Sequence, residues 1–308
     1  MIEISFAGYQ GDKSVHTRGG RVLAEAVARE TDGAARLNFE ESIIPRGKKA
    51  ADLLSMTETG ELDGCYFSSS YLAKRVPALG LFDQHFVVPD RRRAYGVLDG
   101  QLGARLAAQV EAATGYKVMG YWDNGLRHIS SRTPIRTPAD CVGKAIRTLA
   151  NEGHQRVFRA LGFEPKTIDV RDLPDAVRSG TVDAQENPLT NIFNFGIYDV
   201  HRHITLTRHL LGVAMVLFNK GAAARWPGTV RAGVERAVAE ATLAQRRFAE
   251  EDDTICADAL RKEGVEIIEL SDAQRDAFAR STRAEVDVTR QAFDHELLVL
   301  FQSDLDRA

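Results

Sequence analysis

Cysteine is scarce. Cys65, Cys141 and Cys256 are odd in number and far apart in a chain of 308 residues. A disulfide framework is therefore not expected, one bridge at most could form, and small buried apolar roles are expected for all three. No apolar run approaches the ~20 residues of a membrane span; the longest, such as Val213 to Phe218, are strand-sized. There is no low-complexity linker and no fixed-period repeat, which excludes solenoid architectures. Charge of neither sign dominates: 40 Lys and Arg face 43 Asp and Glu, for a net charge of −3. That balance gives no general pull toward nucleic acid or an acidic membrane, so any anion site has to be local. A Gly-x-Ser-x-Gly elbow is missing, and no cysteine lies in an obvious activating setting. The start, Met1-Ile2-Glu3-Ile4-Ser5-Phe6, has neither a basic nor an apolar leader region and reads as a strand.

What is present is an ordinary globular composition, 44% hydrophobic and 27% charged, long enough for two domains with real cores. The first segment alternates periods of two and 3.6: strand at Ile2 to Phe6, helix at His16 to Glu30, strand around Leu37, helix at Lys48 to Thr57, strand at Gly64 to Phe67. That β-α-β-α-β order predicts a parallel sheet with helices on its faces. The middle repeats the pattern in shorter pieces, with strands at Val118 to Trp122, Arg127 to Ser131, Lys144 to Thr148, Lys166 to Val170, Val182 to Gln185, Ile204 to Leu206 and Val213 to Phe218. Helices are expected at His154 to Leu161 and Leu173 to Arg178. From Val230 to Leu260 no proline occurs, and no glycine after Gly233. That predicts one helix of up to ~30 residues, about 45 Å long, enough to bridge two lobes. A strand (Val265 to Leu270) and a final helix capped by Ser271 close the chain.

Several segments invite chemistry. Gly8-Tyr9-Gln10-Gly11-Asp12-Lys13-Ser14 has the wrong spacing for a phosphate loop, and Asp12 would repel phosphate. It reads better as a strand-to-helix turn facing a cleft. His201, His203 and His209 could suggest a metal, but Asp199 is the only nearby carboxylate, and packed or solvated histidines are the better reading. Neither metal nor cofactor is expected. The run Glu250 to Asp253 reads as a solvated helix face. Arg127, after an Asn-Gly turn, and Arg147, at the end of a short apolar strand, differ in kind: each offers a planar fork that fits a carboxylate. Asn187 adds an amide and reads as a helix start with Pro188 at the first helical position. The alternative is structural: arginines paired with internal acids, and asparagine as a simple cap.

The runs Val182-Asp183-Ala184-Gln185-Glu186-Asn187-Pro188-Leu189, Asn124-Gly125-Leu126-Arg127-His128 and Ile146-Arg147-Thr148 together resemble the DctP-like substrate-binding proteins of tripartite ATP-independent periplasmic (TRAP) transporters. The resemblance covers nearly the whole chain. It implies a two-lobed α/β Venus-flytrap clamp, with lobe I formed by 1–124 and 212–250, lobe II by 125–211 and 251–308, and a long helix crossing both. It implies no enzyme but a periplasmic, monomeric binder of a small organic acid, docking on TRAP membrane subunits without entering the bilayer, its signal segment already removed. Arg147 matches the family's carboxylate-gripping arginine, Arg127 its second arginine and Asn187 its cleft asparagine. Gln10, Ser68, Ser69, Asn151 and Val170 would line the cleft, Val170 standing where an aromatic residue is often found. The rival readings are an enzyme using His128 or His154 as base, and a ligand-sensing receptor component.

Overall fold

The computed structural model describes residues 1–88 and 90–307. The chain opens as expected. β1 (Ile2–Ala7) alternates into a buried face, α1 (Val15–Glu30) starts at Ser14, whose side chain accepts from the His16 amide, and β2 (Ala35–Glu40) follows. α2 (Asp52–Thr59) ends on the left-handed Gly60 and leads to the fully buried β3 (Gly64–Ser68). Two further helices, α3 (Arg91–Asp99) and α4 (Gln101–Ala113), precede β4 (Tyr116–Ser131). Then come β5 (Ala145–Thr148), α5 (Glu152–Ala160), β6 (Glu164–Thr167), α6 (Leu173–Arg178), β7 (Ala184–Asn187) and α7 (Leu189–Asn194). β8 (His203–Asn219), α8 (Lys220–Arg225), α9 (Gly228–Lys262), β9 (Glu266–Ile268), α10 (Asp272–Gln291) and α11 (His295–Arg307) complete the chain.

These elements form two compact units, each discontinuous in sequence: Met1–Ser69, Ala104–Asn124 and Val213–Glu251 in the first, Ser70–Gly103, Gly125–Gly212 and Asp252–Ala308 in the second. The stretch 70–103, which the sequence reading left in the first lobe, packs with the second unit instead. β4, β8 and α9 each run from one unit into the other.

In the first unit the strand order is β2-β1-β3-β8-β4. β1 pairs in parallel with β2 and β3, and β3 runs antiparallel to the end of β8, Cys65 opposite Leu217. Its core joins Phe6, Leu23, Tyr66, Trp122, Phe218 and Val234, drawn from strands, from α1 and from the first part of α9. In the second unit the order is β8-β4-β7-β5-β6, with β9 parallel to the start of β8. The parallel β7-β5-β6 ladder is what short βαβ units produce, and α5 and α6 supply Phe158, Leu173 and Val177 to its cores.

Four local expectations change. Asn124-Gly125 is not a turn between two strands: β4 is continuous, and Gly125 absorbs a φ of 84° inside it. Its missing Cβ also makes room for the Pro188 ring, which a side chain would overlap. The two expected strands at 204–206 and 213–218 are likewise parts of one. The acidic run on α9 is not simply solvated: Asp252 is buried and accepts from Thr190 Oγ1 at 3.2 Å, and Asp253 pairs with Arg91 at 2.6 Å. Finally, the last helix is divided in two, α10 and α11. All three cysteines are buried free thiols.

Candidate functional site

Arg147 sits at the third position of β5, next to Gln185 of β7 and Lys166 of β6 in the parallel ladder. Only 2% of it is exposed. Its Nε donates to the Ile168 carbonyl at 2.9 Å, which fixes the plane of the guanidinium. Among the described residues it has no acidic partner, and its two terminal nitrogens donate to no protein acceptor. A buried, oriented, uncompensated cation is rare, because a charge leaving water needs a counter-charge.

Arg127 is placed differently. Its Nε donates to Glu186 Oε2, and its Nη2 to Glu186 Oε1 at 2.9 Å, to the Glu186 carbonyl at 2.7 Å and to Asn187 Oδ1 at 3.3 Å. The pair is closed off from water, 1% and 0% exposed. Burial by itself would push the Glu186 carboxyl up, but the Arg127 charge, together with the contacts of His154 and His209, outweighs it and holds the group well below the usual carboxylate range. The nearest edge of the Arg127 fork is thus taken by a protein carboxylate, the structural alternative weighed for this type of residue.

Around Glu186 stands a group of imidazoles. His154 Nε2 lies 3.3 Å from Glu186 Oε1 and His209 Nε2 3.4 Å from Glu186 Oε2. His85 stacks on His209 at 5.4 Å and approaches His154 at 4.5 Å, and Phe158 presents its ring edge-on to all three. Burial lowers His209 to about 4, against the pull of Glu186, and lowers His85 well below its ordinary value. The sequence reading missed this assembly. The signal was present, since Glu186 lies inside the quoted motif, but strand alternation alone does not say which arginine an acid will meet.

Asn187 ends β7 rather than starting a helix: the N-cap of α7 is Pro188. Its Nδ2 donates to Gln185 Oε1 at 2.5 Å, and its Oδ1 accepts from Arg127 and from Asn191 Nδ2, the latter at 3.2 Å. Asn151 caps α5 through Oδ1 and donates to Asp83 Oδ2 at 2.9 Å. Val170 is half-buried in the turn after β6. These five candidates belong to the second unit. On the same unit a depression of about 650 Å³ is lined by Ser70, Lys74, Asn151, Arg159 and Thr167, among others.

Gln10, Ser68 and Ser69 belong to the first unit. Gln10 is 2% exposed; its Oε1 accepts from Ser14 Oγ and stands 3.1 Å from His16 Nδ1. Ser68 ends β3. Ser69 is buried, and its hydroxyl meets no hydrogen-bond partner. The histidines that suggested a metal have separate roles: His201 contacts Ser130 Oγ at 3.1 Å, His203 pairs with Glu266 at 2.9 Å, and His209 contacts Thr207 Oγ1 at 2.7 Å.

Comparison with known proteins gives consistent results. Residues 6–291 match the DctP family, described as bacterial extracellular solute-binding protein, family 7. The y4mM protein of Sinorhizobium fredii is 34% identical over 269 residues, 87% of this chain and 49% of its own, so this chain spans about half the length of that relative. The 2,3-diketo-L-gulonate-binding periplasmic protein YiaO of Escherichia coli is 30% identical over 75% of this chain and 70% of its own length. Among solved structures, a TRAP periplasmic solute-binding protein from Bordetella bronchispeptica, with density interpreted as pantoate, superimposes with a TM-score of 0.91 at 25% identity over 99% of both chains.

Proposed function

Because the chain belongs to the DctP family of bacterial extracellular solute-binding proteins, we infer that it captures a small organic acid for a TRAP-type transporter and holds the acid's carboxylate on Arg147. The observation that carries this reading is the state of Arg147: 2% exposed, pinned by the Ile168 carbonyl, and without an acidic partner. A guest carboxylate supplies the missing counter-charge, and the guanidinium fork accommodates it through two parallel hydrogen bonds. Charge-assisted bonds contribute roughly 1.5–3 kcal/mol each, so two of them with some apolar contact reach the ~8 kcal/mol of a micromolar complex. The guests named for the relatives, 2,3-diketo-L-gulonate and pantoate, are both carboxylates. That shared group is the part of the ligand this chain is built to hold.

Arg127 serves one step back. Locked to Glu186 and bridging to Asn187, it stiffens the β4-β7 region beside Arg147. Gln10, Ser68, Ser69, Asn151, Asn187 and Val170 are proposed to shape the remainder of the ligand's surroundings. A periplasmic location, docking on the TRAP membrane subunits and a monomeric state belong to the same proposal; among the described residues no helix is long and apolar enough to cross a membrane.

Calorimetric titration of the protein with 2,3-diketo-L-gulonate, pantoate and a panel of short hydroxy and keto acids tests the reading. At least one acid binds, Arg147→Ala removes most of the affinity, and Arg147→Lys, which keeps the charge but loses the fork, binds more weakly than wild type. Unchanged affinity in Arg147→Ala refutes the assignment.

A further inference from the structure

Gln185 stands beside Arg147. The two are register partners in the parallel ladder of β7 and β5, and partners on neighbouring strands, about 4.8 Å apart, carry their side chains on the same face. Gln185 is buried, and its amide is used in both directions: Oε1 accepts from Asn187 Nδ2 at 2.5 Å, and Nε2 donates to Ser130 Oγ at 2.5 Å. Ser130 Oγ in turn lies 3.1 Å from Nδ1 of the buried His201. Burial lowers His201 to about 3, so this ring is neutral near pH 7. The four side chains from Asn187 to His201 therefore form a wall that is hydrogen-bonded throughout and carries no charge.

On its other side the register partner of Arg147 is a cation, Lys166 of β6, whose Nζ donates to the Thr181 carbonyl at 2.9 Å. Acids close in sequence to these strands are committed elsewhere. Asp183 accepts from the Ala145 amide at 2.9 Å, Asp169 and Asp172 accept from Arg171 at 3.0 and 3.1 Å, and Glu186, on the opposite face of β7, holds Arg127. Position 185 is thus where the exchange of one amide nitrogen for an oxygen would give Arg147 a counter-charge belonging to the chain itself.

We propose that Gln185 is a specificity-determining residue of the acid site: its neutral, doubly anchored amide leaves the Arg147 guanidinium uncompensated, and a carboxylate at this position would occupy that guanidinium and exclude an acid guest. The inference rests on the reading that Arg147 holds the guest's carboxylate. Glutamate has the shape of glutamine, and Asn187 Nδ2 and the Ser130 hydroxyl can both donate to it, so the wall survives the exchange while its neutrality does not. An internal acid then competes with the guest for the same planar donors.

Pantoate and 2,3-diketo-L-gulonate are the probes, titrated calorimetrically into the full chain. Gln185→Glu loses at least roughly tenfold in affinity for each acid that binds wild type, and Gln185→Met, neutral and of similar length, loses clearly less. A double-mutant cycle on the ligand-free protein separates charge from shape. Gln185→Glu lowers the unfolding midpoint at least about 6 °C further in the Arg147→Ala background than in wild type, because only there is the new carboxylate buried without its partner. Undiminished affinity in Gln185→Glu, equal losses for glutamate and methionine, or no coupling in the cycle overturns the proposal. Should neither acid bind wild type, the acid reading of Arg147 fails by itself, and the cycle decides the pairing: coupling upholds position 185 as the setter of the Arg147 charge, and its absence overturns it.

Discussion

Replacing Glu186 by glutamine keeps the shape of the side chain and removes its charge. Arg127, 1% exposed, then remains buried without a counter-ion, and His154 and His209 lose the carboxylate that each faces within 3.4 Å. Breaking one side of a buried pair costs about 3–5 kcal/mol. For a domain the size of the second unit, 1 kcal/mol corresponds to about 2–4 °C, so the unfolding midpoint should fall by roughly 6–20 °C. Scanning calorimetry at pH 7.5 measures this directly, with urea unfolding as an independent estimate. The double variant Arg127→Met, Glu186→Leu removes both charges together and should recover most of the loss, since apolar replacement of a whole buried pair is often neutral. A loss below about 1 kcal/mol in the single variant, or a double variant no better than the single, would refute the reasoning.

Acidification should destabilise the protein between pH 6.5 and 4. Burial lowers His16 and His209 to about 4 in the fold, so the unfolded chain binds more protons in that window; their contribution is complete above pH 6.5 and lost as pH falls, at most about 3 kcal/mol each. Glu186, held below its ordinary range, acts in the same direction at lower pH. Melting curves across this range check the sign, and a midpoint that rises on acidification contradicts it. Gly125→Ala should cost at least about 2 kcal/mol, because it combines a left-handed backbone with overlap on Pro188; a midpoint within 1 °C of wild type would count against this. Burial pushes Cys65, Cys141 and Cys256 up to about 12, so the folded protein should resist iodoacetamide at pH 8, and reductant should leave its melting unchanged.

The first unit's opening was legible because β1, α1, β2, α2 and β3 each carry one clear period and end at glycine or a cap, and packing only had to agree with those signals. Long-range pairing erased other signals. Asn124-Gly125 has the composition of a turn, yet the partners of β4 carry the strand through it, with Gly125 at a positive φ. α3 and α4 went unread although Leu98, Leu102, Leu106 and Val110, all buried, recur every four residues. At the site, the arginines were legible by type but not by state. Nothing local distinguishes an arginine that meets an acid of the chain, Glu186, from one that meets none among the described residues. That difference is decided by which strands neighbour each other, and it separates Arg127 from Arg147.

The interleaving of the two units sets an order on biogenesis. The first unit needs residues 213–251 for its antiparallel strand and its covering helix, so nothing made before that point can finish folding. At about 5–20 residues per second, roughly ten to forty seconds separate the synthesis of β3 from that of the end of this stretch. Until then β3 carries an unpaired edge rich in Cys65, Tyr66 and Phe67, a template for association with other nascent chains. Truncations ending before Val213 should accordingly aggregate rather than yield an isolated amino-terminal lobe, and holdase chaperones should bind the growing polypeptide most strongly across that interval.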